Sequence, residues 1–138
     1  MEELIKALGK INTDIAREMY LRCNAQLEAF YNDDEEESLQ LIDRAIELSP
    51  NIPYGRMVKF DICEKFNLME EMEKIFEYFN NSENKQKYLN NIIIFKSIIL
   101  AKKGKVSEAI NYFDNSIKYF TQEAKDKFMS KLERYNEE

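Results

Sequence analysis

Apolar residues recur along this chain at spacings of three and four, and the polar breaks between the periodic stretches divide it into helical arms. The clearest pair lies between Ile93 and Phe120, where two apolar helical stretches flank Lys102-Lys103-Gly104-Lys105 and the second carries small residues at Ala109 and Ser116 with Phe113 between them. This is the pattern of a helical hairpin that stacks on its neighbours. Upstream, residues 2–8 predict a short helix that ends at Gly9, and Thr13 can cap the next. Ile15, Met19, Cys23, Leu27 and Phe30 then form one apolar face, which stops at the polar run 32–37. The acids of that run suit the N-terminus of the following helix, whose dipole favours negative charge.

That helix is expected over 36–48, with Leu39, Ile42, Ala45 and Ile46 on one side, and it stops before Pro50 because the residue preceding a proline is pushed out of the α region. Pro53 fits the first turn of the next arm, whose stripe is Met57, Phe60, Cys63 and Phe66. Asn67-Leu68-Met69-Glu70 has the form of a capping box and opens an arm to about residue 79 with Met72, Ile75, Phe76 and Phe79 inward. Residues 80–84 are turn formers. The arm over 85–102 is apolar almost all round between 92 and 101 and should be the most buried element. Gly104 closes it, 106–120 forms its partner, and Thr121 caps a last amphipathic helix bearing Ala124, Phe128, Leu132 and Tyr135, beyond which the chain should fray.

Composition narrows the class. At 138 residues, with 3 Gly and 2 Pro, the chain suits one all-α domain better than a turn-rich β-sandwich. A formal charge of −6 with interleaved signs leaves no basic stripe for phosphates, so no nucleic-acid partner is expected. No apolar run approaches the ~20 residues of a membrane span, and the charged N-terminus does not read as a signal peptide. A cytoplasmic protein with no membrane partner is expected. Cys23 and Cys63 both fall in helical stripes and are expected as buried, reduced thiols.

The chain has no histidine, which removes the commonest general base and metal ligand. The acidic run 33–37 lacks the glycine and the alternating ligand spacing of a calcium loop. Glu70 with Lys74 is surface ion-pair spacing. No catalytic residue, no metal and no cofactor are therefore expected.

Asn84 lies 34 residues beyond Pro50, and both sit at hairpin ends. With Ser38, Ile42, Ala45 and Pro50, and again Ala109, Phe113, Ser116 and Thr121, this period resembles the tetratricopeptide repeat. The frame covers about residues 20–121, although repeat two has Met72 and Phe79 at positions where the family carries small residues. The resemblance implies a right-handed stack of about three antiparallel hairpins, at 20–50, 53–84 and 90–121, closed by a capping helix at 122–135. In that frame Cys23, Leu27, Phe30, Phe60, Cys63, Ile93, Ser97 and Leu100 point inward.

The family's first helices line a concave groove. The resemblance places Asn24, Glu28 and Tyr31 there from repeat one, Tyr54, Met57, Asp61 and Glu64 from repeat two, and Asn91, Ile94 and Ile98 from repeat three. Chaperone adaptors of the family grip C-terminal carboxylates with Lys, Arg and Asn. Glu28, Asp61 and Glu64 stand at such positions here, so a basic or apolar segment of a protein or peptide is the expected partner. The expected role is a non-catalytic binding module or adaptor, monomeric or weakly homodimeric. The alternative is a small helical effector-sensing or regulatory module.

Overall fold

Asp34 opens the second helix of this all-helical chain by accepting the Glu37 amide at 3.0 Å, so the acidic run supplies both the cap and the first turn of that helix. A computed structural model describes residues 2–137, with side chains described except at 8–12. Seven α-helices lie among the described residues: α1 (Glu2–Phe30), α2 (Glu35–Leu48), α3 (Tyr54–Lys65), α4 (Met69–Asn80), α5 (Leu89–Lys102), α6 (Val106–Ser116) and α7 (Gln122–Glu133). Short 3-10 turns cover Lys85–Tyr88 and Arg134–Glu137. The chain divides into two compact units, Met1–Leu68 and Met69–Glu138.

In the first unit α1 packs on α2 and α3, and α2 on α3. The expected break at Gly9 and cap at Thr13 are corrected: α1 runs unbroken from Glu2 to Phe30. One glycine costs a helix only ~1 kcal/mol, and its neighbours Lys6, Ala7, Leu8 and Lys10 are strong helix formers. The buried core is Leu21, Ala25 and Ala29 of α1, Ile42 and Ala45 of α2, and Val58 and Ile62 of α3. Ala25, Ala29 and Ala45 present only methyl groups, which lets the helix axes approach closely. Gly55 continues the theme between α2 and α3, since a Cβ there would lie 2.9 Å from Cγ1 of Ile46. Lys59 Nζ and Asp43 Oδ1 join α3 to α2 at 2.7 Å.

Asn67 ends α3 in the left-handed region at φ 59°, and the Leu68 amide donates back to the Cys63 carbonyl at 2.9 Å. The residue expected to cap α4 therefore closes α3, because asparagine tolerates this conformation better than most.

In the second unit α5 is the spine. Ile92, Ile93, Phe95, Ser97, Ile98, Ile99 and Ala101 are all buried, on every side of the helix, as its apolar residues almost all round predict. Helices α4, α6 and α7 each pack against it. Ser97 is satisfied locally, its hydroxyl donating to the Ile93 carbonyl at 2.7 Å. Phe79 of α4 meets Phe95 at 5.8 Å and Tyr88 at 5.2 Å between ring centroids. Gly104 turns the chain at φ 84°, and the Lys105 amide closes the end of α5 onto the Leu100 carbonyl at 3.0 Å.

One boundary here differs from expectation. Helix α6 stops at Ser116 instead of Phe120, with Ile117 extended and Tyr119 left-handed at φ 63°. Thr121 then caps α7 by accepting the Ala124 amide at 3.1 Å. The residues beyond Tyr135 continue the 3-10 turn to Glu137, and the Tyr135 ring lies 5.2 Å from the Lys102 ammonium.

Candidate interaction surface

The interface chemistry of α1 is inverted relative to its sequence pattern. The expected inward face is corrected: Ile15, Met19, Cys23, Leu27 and Phe30 all face outward, with Ile15 at 44%, Met19 at 49%, Leu27 at 48% and Phe30 at 50% exposure. The helix instead buries a less bulky stripe of one leucine and two alanines, Leu21, Ala25 and Ala29, which recurs at every fourth residue. A flat alanine face fits closely against α2, whereas the bulky stripe would hold the two helices apart. The larger residues therefore remain outside, and Tyr20 of the same helix and Tyr31 in the turn after it are exposed with them.

Two polar devices hold this end of α1 in place. Glu18 is buried on the inner side and accepts from Arg22 Nε at 2.8 Å and Nη2 at 3.3 Å. The Arg22 guanidinium lies over the Tyr54 ring at 5.3 Å, so one residue connects α1 to α3. At the C-terminal end, where α1 has no basic residue in its last turn, Lys65 of α3 donates to the Ala29 carbonyl and pairs with Asp33 at 2.8 Å. Its ammonium also stands 5.7 Å from the Phe30 ring. A cation at a helix C-terminus complements the dipole. Lys65 does not stand out in the sequence, because its partner Ala29 at the end of α1 lies 36 residues away along the chain, and Glu18 with Arg22 has only the ordinary i,i+4 spacing of a helix surface pair.

The groove residues inferred from the family frame have different fates. Asn24 is half-buried and donates to the Tyr20 carbonyl at 2.8 Å, and Glu28 accepts from Asn32 at 3.0 Å. Tyr31, Tyr54 and Asp61 are exposed, while Met57 and Glu64 are half-buried. These seven all lie on α1, α3 or the turn after α1, within the first unit. Asn91, Ile94 and Ile98 lie on α5 of the second unit; the first two are half-buried, and Ile98, at 3% exposure, presents no surface to a partner.

The cysteines also part company: Cys63 is buried as expected, whereas Cys23 is exposed on the outer stripe of α1. Among the described residues no group of three or more Cys, Asp or Glu side chains is placed to hold a metal ion, and no helix is long and apolar enough to cross a membrane. Burial raises the Tyr112 phenol above its ordinary value of 10.0.

No protein-family model matches the chain, and neither a curated protein sequence nor a solved structure matches it.

Proposed function

We propose that this chain is a non-catalytic module that binds a protein or peptide partner, built on a tetratricopeptide-like arrangement of helical hairpins. The observation that carries the reading is the outer face of α1, where Ile15, Met19, Cys23, Leu27 and Phe30 follow one another at helical spacing and all remain exposed. Single exposed apolar residues are ordinary, but a contiguous row of this kind marks a surface that another molecule covers. The contacts of α1 with both α2 and α3 support the hairpin reading, since a helix in a stack of hairpins meets its own partner and the next pair. The partner chemistry is apolar with basic flanks: the row supplies the apolar contact, and Glu28, Asp61 and Glu64 supply carboxylates on the neighbouring first-helix positions.

The test is affinity purification from the native cell with mass spectrometry, run in parallel on the native chain and on Met19→Glu/Leu27→Glu. Both substitutions sit on exposed positions, and an unchanged circular dichroism spectrum confirms that the fold is kept. A specific protein recovered with the native chain and lost with the variant supports the reading. Equal recovery by both, or no specific protein at all, overturns it.

A further inference from the structure

At the corner where the chain passes from α6 to α7, the second unit holds a surface hollow of about 410 Å³ whose chemistry differs from the rest of this acidic protein. Its floor is Phe120, Ala124 and Phe128, and its rim is Lys127, Lys131 and Arg134. Phe120 and Phe128 both rest on the buried Phe113, at 6.0 Å and 4.5 Å between ring centroids, so the floor is backed by the core. The backbone around it is equally determined. Tyr119 takes a left-handed conformation at φ 63° immediately before Phe120, and Thr121 accepts the Ala124 amide to start α7. Ala124 keeps the hollow open because only a methyl group projects from the helix at that point.

We infer that this hollow docks an acidic peptide segment through one bulky apolar side chain. The argument is charge complementarity over an apolar floor: three of the six lining residues are cationic and none is acidic, in a chain whose formal charge is −6. The volume lies in the range of sites that enclose a small ligand or a large side chain. An aromatic side chain of the partner fills the floor, and flanking carboxylates meet Lys127, Lys131 and Arg134, whose aliphatic stems lie along the apolar wall while their charges reach outward. A lipid surface fits less well. Membrane insertion uses protruding apolar side chains, and here the aromatic rings are half-buried beneath a cationic rim. None of the lining residues belongs to the α1 face, so this site stands or falls separately from the reading above.

The probe is a short peptide, acetylated and amidated, of sequence Asp-Glu-Phe-Glu-Asp, titrated into the full chain and followed by amide chemical shifts. Shifts centred on Phe120, Ala124 and Phe128 are expected. Binding should weaken at least about tenfold when the peptide's Phe is replaced by Ala, and by a similar factor when its acids are replaced by their amides. Lys127→Glu/Arg134→Glu changes two exposed side chains and should abolish the shifts, as should Ala124→Phe, which fills the floor and leaves the charge intact. Retained binding in either folded variant overturns the proposal, as do shifts located elsewhere. It is also overturned if the same residues respond to vesicles of anionic lipid or to free phenylpropionate but not to the peptide. Concentration-dependent shifts of these residues without the peptide would assign the hollow to a second copy of this chain and overturn it equally.

Discussion

Cys23 and Cys63 occupy equivalent-looking places in two helical stripes, yet one faces solvent and the other the core. A thiol reagent should therefore modify one cysteine quickly in the native protein, with Cys63 reacting only on unfolding; mass spectrometry after brief labelling checks this, and two rapid modifications would contradict it. Tyr112 supplies a second measurement at this scale. Its folded pKa is raised by burial above the 10.0 of the exposed phenol, so the unfolded state releases this proton first as pH rises. The stability it contributes is complete below pH 10.0 and is lost as pH climbs through the interval up to the folded pKa. Tyr112→Phe removes that loss, and denaturant midpoints measured on both sides of pH 10.0 should fall less steeply with pH in the variant than in the native chain.

Helix α1 shows how an element can mislead when read by bulk. Ile15, Met19, Cys23, Leu27 and Phe30 together outweigh one leucine and two alanines in any hydrophobic pattern, but packing density favours the face that permits the closest approach. The two faces make opposite predictions. Ala25→Leu forces α1 away from α2 and should cost about 1–3 kcal/mol, whereas Leu27→Gln on the outer face should stay within about 0.5 kcal/mol. Urea denaturation of the two variants separates them, and the reverse order would return the bulky stripe to the core. At the other end of the chain the signals were direct: Gly104 ends α5 as expected, because no other residue type adopts φ 84° without strain. Gly104→Ala should cost about 1 kcal/mol even though no atom lies within 4 Å of the added methyl, so thermal denaturation reads conformational strain alone.

Across the molecule, stability should be distributed as burial is. The amides of α5 between Ile92 and Ala101 belong to the most enclosed helix and should exchange slowest in the second unit. Within α1, residues from Leu21 to Ala29 should be protected, while the first turns, where Glu2 to Ala7 are all exposed, should exchange far faster, since a helix with no packed face is only marginally stable in water. Hydrogen exchange followed by mass spectrometry resolves both gradients; uniform protection along α1 would show that its first turns have a partner in solution. The two exposed features, the α1 row and the cation-rimmed hollow beside α7, lie in different units and differ in charge. The molecule can thus be examined at each without disturbing the other.

The helical class, the arms from α2 to α7 and the central place of α5 were legible in the amino-acid sequence, because periodicity, caps and a run of isoleucines act through neighbours along the chain. Asp34, Asn67, Gly104 and Thr121 act in the same local way, although Asn67 closes the helix before it instead of opening the one after. Which face of α1 enters the core was decided only by tertiary structure, since it depends on Ile42 and Ala45 of α2 meeting the alanines of α1 and on α3 fitting beside both. The same holds for Lys65 on the end of α1, and for the hollow formed where Phe113, Phe120 and Phe128 converge under three cations. The α1 face and Lys65 rest on contacts between residues distant along the chain, which leave no periodic trace in it, whereas Ala124, Lys127, Phe128, Lys131 and Arg134 do follow helical spacing, and what the tertiary structure adds to them is the backing of Phe113.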